Sequence, residues 1–102
     1  MKIIKIIAIF FFDILDIFIH QKRIIKTIKK QKINITTYLD IGAHKGVYTD
    51  LFLKNFEIKK AYLFEPQKSV FKFIRNKYKK NNFVNTYNLC VSNNNKIKNF
   101  YI

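Results

Sequence analysis

The residues with the clearest capacity for chemistry lie in one stretch, YLDIGAHKGVY, at positions 38–48. It contains Gly42 and Gly46, the only two glycines of the chain, and Asp40 stands two residues before the first of them. A glycine lets a ligand approach the backbone closely because no Cβ is in the way. The spacing D-x-G-x-x-x-G therefore predicts a ligand-binding loop with a carboxylate beside it.

A second carboxylate, Glu65, follows the apolar run 61–64 and lies 19 residues beyond Gly46. A carboxylate about 20 residues after a glycine loop is placed to accept hydrogen bonds from ribose hydroxyls. The dinucleotide pattern G-x-G-x-x-G is absent, and the charge of Asp40 would repel a pyrophosphate. A cationic group would be attracted instead. The pattern therefore favours S-adenosylmethionine, whose sulfonium and ammonium groups are positive and whose adenosine carries a ribose.

These side chains need a fold that brings two strand ends together. Short apolar runs alternate with segments of helical periodicity, which predicts a βαβαβ unit: a doubly wound, mostly parallel sheet with right-handed crossovers. Pro66 stops the second strand. In chain order we expect a strand at 37–41, a helix at 47–55, a strand at 61–64, a helix at 70–79 capped by Ser69, a strand at 83–91 and a short strand at 97–102.

Each of the two helices is expected to pack one apolar face on this sheet. These faces are formed by Val47, Tyr48, Leu51 and Phe52 in the first helix and by Val70, Phe71, Ile74 and Tyr78 in the second. Parallel α/β sheets bind ligands at the carboxyl ends of their strands, where the first strand meets a helix N-terminus. The glycine loop and Glu65 should meet at that edge.

Three short motifs of this chain occur together in one enzyme family. They are Asp40-Ile41-Gly42-Ala43-His44-Lys45-Gly46, Phe64-Glu65-Pro66 and Leu89-Cys90-Val91-Ser92-Asn93. Through them, residues from about 38 to 102 resemble the FkbM-type S-adenosylmethionine-dependent methyltransferases. The resemblance implies a Rossmann-like class I methyltransferase fold and transfer of a methyl group, commonly to oxygen on sugars or related metabolites. The expected partner is therefore a small-molecule or glycan acceptor.

The resemblance also implies cofactor-binding roles for eight residues. The methionine part of S-adenosylmethionine would lie against the first strand end and the loop, at Asp40, Gly42, Ala43, His44 and Gly46. Glu65 would hold the ribose, and Ser92 and Asn93 would lie near the adenine edge. His44 is also a candidate general base, but the position is a variable loop residue in the family, so no catalytic residue is assigned.

The family's sequences continue beyond the part that this chain resembles, with a fourth strand packed beside the first. The expected architecture is therefore a Rossmann-like half-domain, residues 33–102, preceded by an amphipathic helical segment, residues 1–32. Strand 37–41 would then be an exposed sheet edge, which favours pairing with a partner chain. We expect methyl transfer to need more than this chain, because half a crevice does not position donor and acceptor.

Residues 2 to about 30 are predicted to form one or two amphipathic helices with a polar stripe. Polar residues recur at alternating steps of three and four, at Asp13, Asp16, His20, Arg23, Thr27 and Lys30. Lys5 and the two aspartates argue against a membrane span, since a charge at a helix centre costs about 2.5–3.5 kcal/mol on insertion scales. Three interpretations stay open: a helix packed on the following domain, a helix at a membrane surface or on a partner, and a span.

The net charge of +14 comes almost wholly from lysine, since Arg23 and Arg75 are the only arginines. Arginine is preferred for bidentate contacts with phosphates and guanine edges, and the lysines are spread along the chain. No specific nucleic-acid partner is therefore expected. The alternatives to the methyltransferase are a non-catalytic fragment or interaction module with a basic surface, a nucleotide-dependent oxidoreductase, and a small membrane-associated protein.

Cys90 is the only cysteine, which excludes an intrachain disulfide, and it is expected to be buried on the third strand. His20 and His44 match no ligand spacing, so no metal is expected. These features favour the reducing cytoplasm. The amphipathic stripe adds the hypothesis of peripheral membrane contact through residues 2–30.

Overall fold

The computed structural model describes residues 2–94, and the chain divides into two compact units, residues 1–34 and 35–102. The fold is α/β, with three helices and a small parallel sheet of three strands within the described residues. In chain order the elements are α1 (Lys2–Lys30), β1 (Thr37–Ile41), α2 (Val47–Asn55), β2 (Lys60–Phe64), α3 (Lys68–Tyr78) and β3 (Val84–Tyr87). The alternation of strands and helices after α1 is as predicted.

The first unit is the single helix α1, which at a rise of 1.5 Å per residue is about 43 Å long. The prediction of helix for residues 2 to about 30 is confirmed. Its Ile, Leu and Phe side chains between Ile3 and Ile19 are exposed. Among the helices within residues 2–94, none combines the length and the apolar content that crossing a bilayer requires.

The sheet has the strand order β1-β2-β3, and both pairs of strands are parallel. Tyr38 and Asp40 of β1 lie beside Ala61 and Leu63 of β2. Because side chains alternate along a strand, these four side chains share one face of the sheet. Two crossovers that advance in the same direction place their helices on the same side, and residues of α2 and α3 do pack together on this face.

The core lies between this face and the two helices. Its buried centre is Ala61, Leu63, Ile74 and Tyr78, with Ala43 and Ile58 at its ends. Tyr38, Phe52 and Phe56 add a row of stacked rings, with centroids 4.8 and 5.6 Å apart. The opposite face of the sheet is more open: Leu39 and Ile41 are each 57% exposed, while Phe64 stacks on Tyr87.

The predicted inward face of α2 is wrong at its first two positions. Val47 and Tyr48 are exposed, and the fully buried residue of the helix is Thr49. Thr49, Leu53 and Phe56 follow the four- and three-residue steps of one helical face, and the last two pack against the core. The carboxylate of Asp40 accepts a hydrogen bond from the Thr49 hydroxyl, which accounts for a polar residue at this position.

Two other boundaries differ from the prediction. Helix α3 begins at Lys68 with Gln67 as its N-cap residue, so Ser69 lies within the first turn and does not cap the helix. Strand β3 ends at Tyr87, not at residue 91. The N–H groups that β2 presents to β3 come from every second residue, as at Ala61 and Glu65, and the next of them, that of Gln67, is donated to the Glu65 carboxylate instead. The backbone oxygen of Glu65 accepts the side-chain amide of Asn88.

The short β3 also overturns the expectation for Cys90, which is exposed beyond the end of the strand. The strand predicted at 97–102 lies outside the described residues. The inward face predicted for α3 is confirmed, with Ile74 and Tyr78 buried and Val70 and Phe71 partly buried.

Candidate functional site

Asp40 and Glu65 lie on the same face at the carboxyl edge of two neighbouring parallel strands. Asp40 is opposite Leu63, and Glu65 follows Leu63 by two residues, so the alternation of side chains puts both acids on the face covered by the helices. From the spacing of residues within and between strands, their Cα atoms are about 8 Å apart. The loop of residues 42–46 leaves β1 at this edge.

Asp40 is held by two hydroxyl groups. Its Oδ2 accepts hydrogen bonds from the Thr49 Oγ1, at 2.8 Å, and from the Tyr38 hydroxyl, at 3.0 Å. Within residues 2–94 its other oxygen, Oδ1, has no hydrogen-bond partner, and no buried side-chain oxygen there lacks one. Oδ1 is therefore open to solvent and can accept a hydrogen bond from a cationic ligand.

Tyr38 is a permanent donor to Asp40. Burial raises the pKa of the Tyr38 hydroxyl above its usual value, and the neighbouring charge of Asp40 raises it further. The phenol therefore keeps its proton throughout the neutral range. This hydrogen bond orients the carboxylate of Asp40 and leaves Oδ1 as the oxygen that faces solvent.

Glu65 is buried, with 4% of its surface exposed, and it holds the loop in place. Its Oε2 accepts a hydrogen bond from the backbone N–H of His44, at 2.8 Å, and its Oε1 accepts one from the backbone N–H of Gln67, at 3.1 Å. The Asn88 side-chain amide donates to the backbone oxygens of Glu65 and Pro66. One carboxylate thus ties the glycine loop to the start of α3.

The loop backbone alternates into the left-handed region. Gly42, His44 and Gly46 have φ values of 77°, 52° and 81°. The N–H groups of Gly42 and Ala43 both donate to the backbone oxygen of Phe64, at 2.8 and 3.0 Å. The side chain of Ala43 is buried, whereas His44 is exposed and uses its backbone, not its ring, to reach Glu65.

Gly46 is required by its contact with α3. A Cβ at this position would collide with the Tyr78 hydroxyl and lie 3.0 Å from its Cε2. The single proton of the hydroxyl is shared between two acceptors within hydrogen-bond distance, the Gly46 backbone oxygen, at 3.0 Å, and Asp50 Oδ1. A Cβ at Gly42, in contrast, would meet nothing within 4 Å. The space beside Gly42 is therefore the open part of the loop.

Burial raises the pKa of the Tyr78 hydroxyl well above its usual value near 10, and the hydrogen bond to Asp50 acts in the same direction. The unfolded chain loses this proton near pH 10 whereas the folded chain keeps it. The stability that Tyr78 contributes is therefore fully present below pH 10 and is lost as the pH rises above it. We expect the free energy of unfolding to fall there by up to about 1.4 kcal/mol per pH unit from this residue.

Urea unfolding at a series of pH values from about 9 to 11 measures this slope. The matched variant is Tyr78→Phe, which is less stable at neutral pH because it lacks the hydroxyl. Its stability should fall less steeply above pH 10 than that of the unchanged chain. Parallel pH profiles of the two proteins would show that Tyr78 ionises alike in the folded and unfolded states.

The contacts described for Ser92 and Asn93 include none with Asp40, Glu65 or the loop, so their predicted place near the adenine stays a prediction. Ser92 and Asn93 are exposed, and their described side-chain hydrogen bonds are local, both to Asn94. Sequence reasoning missed Thr49, which donates to the Asp40 carboxylate, and Asn88, which donates to the Glu65 backbone, and it gave Tyr78 no role beyond packing. The sequence offered no signal for Asn88, because this residue lies inside the strand predicted at 83–91. No group of three or more His, Cys, Asp or Glu side chains that could hold a metal ion occurs among residues 2–94.

Comparisons of the chain with protein-family models, with curated proteins and with solved structures gave no match. The resemblance to the FkbM-type enzymes therefore stays a prediction from the three motifs. What the fold contributes is the geometry of the carboxyl edge: one carboxylate oxygen open beside a glycine loop, and a second carboxylate that fixes the loop.

Proposed function

We propose that this chain binds S-adenosylmethionine at the carboxyl edge of its sheet and serves as the cofactor-binding part of an FkbM-type methyltransferase with a Rossmann-like fold. The observation that supports this most directly is the open Oδ1 of Asp40 beside the glycine loop, on the same edge and face as Glu65. The acceptor proposed from the motifs is a hydroxyl group of a sugar or related metabolite.

The methionine end of the cofactor fits the Asp40 side of the site. Its ammonium group is a donor of charge-assisted hydrogen bonds, which Oδ1 can accept. A Cβ at Gly42 would meet no neighbouring atom within 4 Å, so the space beside this glycine is open and a ligand can lie against the backbone. Tyr38 and Thr49 hold the carboxylate of Asp40 through Oδ2, which lowers the cost of ordering it on binding.

Glu65 fits a ribose less directly. Both of its oxygens already accept a backbone N–H, but each can accept a second hydrogen bond. Because only 4% of the surface of Glu65 is exposed, a ribose hydroxyl can contact its carboxylate only at the margin of the loop. Its first role is to shape the loop, and its contact with ribose is the part of the proposal that depends most on the motif Phe64-Glu65-Pro66.

When bound, S-adenosylmethionine supplies an electrophilic methyl group. The residues of this chain bind and orient it: Asp40 holds the ammonium, and the 42–46 loop sets the depth at which the cofactor lies. Methyl transfer requires donor and acceptor to be held in line at close range. None of the described residues is assigned as the base that accepts the hydroxyl proton.

Calorimetric titration with S-adenosylhomocysteine tests the site without requiring an acceptor. We expect binding by the unchanged chain and an increase in Kd of about tenfold to a hundredfold in Asp40→Asn. Asparagine keeps the shape and can still accept hydrogen bonds from Tyr38 and Thr49, but it removes the charge. The loss would therefore report on recognition of the ammonium group.

The control is Glu57→Gln, which removes one negative charge from an exposed residue outside the site. It should bind as the unchanged chain does, and circular dichroism should show that all three proteins are folded. Absence of binding at millimolar ligand by the folded, unchanged chain would overturn the proposal.

That outcome would favour the interaction module instead, for which the structure offers one specific feature. In the described sheet β1 is an edge strand, and its Leu39 and Ile41 are exposed on the open face. An unpaired apolar edge is a surface for another strand. Sedimentation of the chain at increasing concentration distinguishes the two, because pairing through β1 makes the mass rise with concentration.

A further inference from the structure

The N-terminal two thirds of α1 expose more apolar surface than packing by one helical face requires. Every Ile, Leu and Phe from Ile3 to Ile19 is exposed, from 37% at Leu15 to 71% at Ile3. At about 100° per residue, all polar side chains from Lys2 to His20 fall within an arc of about 90°. The apolar arc is therefore about 270°, compared with the roughly 100° of a helix that packs by one stripe.

The charges of α1 are strongly unbalanced. It carries seven basic residues and two acidic ones, and five of the basic residues lie in its last nine positions: Lys22, Arg23, Lys26, Lys29 and Lys30. A cluster of four to eight Lys or Arg residues beside an apolar helical segment is attracted to anionic lipid, by about 1 kcal/mol for each residue near the surface. The acidic residues, Asp13 and Asp16, are confined to the polar arc.

This charge selects among the surfaces that could cover α1. A second copy of the chain would bring a helix with the same excess of positive charge, in a protein of net charge +14, and like charges oppose such pairing. An anionic bilayer offers both an apolar layer and opposite charge. We infer that α1 lies in the surface of an anionic lipid bilayer, with its basic end against the headgroups. This inference does not depend on the proposed cofactor site.

The distribution of side chains sets the orientation. Asp13, Asp16 and His20 face water, and Phe11, nine residues before His20, lies about 180° away and faces the acyl chains. Lys22 lies outside the polar arc, and its Nζ packs 4.5 Å from the centroid of the Phe18 ring. Its long stem can follow the apolar surface while the ammonium reaches the headgroups.

Flotation of the full chain with vesicles tests the inference. We expect binding to vesicles of phosphatidylcholine with about one third phosphatidylglycerol, and much weaker binding to phosphatidylcholine alone, at about 0.1 M salt. The triple variant Lys22→Gln, Lys26→Gln, Lys30→Gln should lower the partition coefficient by more than about tenfold. The matched control, Lys72→Gln, Lys79→Gln, Lys80→Gln, removes three exposed charges from the second unit and should bind within a factor of about two to three of the unchanged chain.

The chain contains no tryptophan, so a single introduced tryptophan reports on its own position. With anionic vesicles, Phe11→Trp should shift its emission to shorter wavelength, whereas His20→Trp on the polar arc should shift much less. Phe73→Trp, exposed on α3, should not shift. Equal shifts at positions 11 and 20 would mean that the helix is enclosed on all sides, which would overturn the surface orientation.

Two further results would overturn the inference itself. One is equal binding to neutral and anionic vesicles, which would show that the basic cluster takes no part. The other is that the chain binds neither kind of vesicle. If the chain then sediments as a dimer and the tryptophan at position 11 is shielded from water, a second copy of the chain covers the apolar surface of α1.

Discussion

Replacing Glu65 by alanine is expected to lower the free energy of unfolding by about 3 kcal/mol. The carboxylate is 4% exposed and accepts the N–H groups of His44 and Gln67. Hydrogen bonds to a charged group contribute about 1.5–3 kcal/mol each, and an amide left buried without an acceptor is costly. Because small units have little stability to spare, this one substitution should remove a large fraction of it.

Urea unfolding followed by far-UV circular dichroism measures the loss. The free energy of unfolding of Glu65→Gln should lie between those of the unchanged chain and Glu65→Ala. Glutamine keeps one oxygen acceptor but turns an NH₂ group toward the other amide. The control, Glu57→Gln, should change stability by less than about 0.5 kcal/mol because the residue is exposed. Hydrogen exchange adds a local measurement: the His44 amide should lose its protection in Glu65→Ala. Unchanged stability and protection would show that the carboxylate does not hold the loop.

Gly46→Ala is expected to be destabilising by about 2–3 kcal/mol, for two separate reasons. The φ of 81° places Gly46 in the left-handed region, where a side chain costs roughly 1–2 kcal/mol. The new methyl group would also displace the Tyr78 hydroxyl from its hydrogen bond to the Gly46 oxygen, a loss of about 1 kcal/mol. Tyr78 is buried and also bonded to Asp50, so it has little freedom to move aside.

Gly42→Ala separates the two causes. Its φ of 77° is nearly the same, but a Cβ there meets nothing within 4 Å, so only the backbone cost of about 1–2 kcal/mol should remain. In a double-mutant cycle, Tyr78→Phe should relieve part of the penalty of Gly46→Ala, because the colliding oxygen is gone. Additive effects in the cycle would show that the two side chains do not meet.

The elements of the second unit could be predicted largely because local signals agreed. Strand β1 and helix α2 have the predicted bounds, since an apolar run, a loop with both glycines and a helical periodicity follow one another without conflict. The end of β3 could not be predicted from its own residues. It depends on the hydrogen bond from the Gln67 amide to the Glu65 carboxylate, at the end of a neighbouring strand. Cys90 was misplaced for the same reason.

The candidate site was predicted in outline but not in its contacts. The strand ends and the carboxylates follow from pattern, and the structure places Asp40 and Glu65 on one face of one edge. Which hydroxyl orients Asp40 could not be known, because Thr49 is buried through its hydrogen bond and not through hydrophobicity. The pairing of Gly46 with Tyr78, 32 residues away, likewise depends on how two helices meet.

The glycine loop is held by hydrogen bonds to residues far ahead in the sequence, so its structure can be completed only late in synthesis on the ribosome. Its first hydrogen bond, from the His44 amide, needs Glu65, 21 residues later in the sequence. Its second, to the Gly46 oxygen, needs Tyr78, 32 residues later. At about 5–20 residues per second, synthesis of those 32 residues takes roughly 2–6 seconds. During that interval the start of α2 lacks its contact with Tyr78. The contact forms only after α3 has been synthesised.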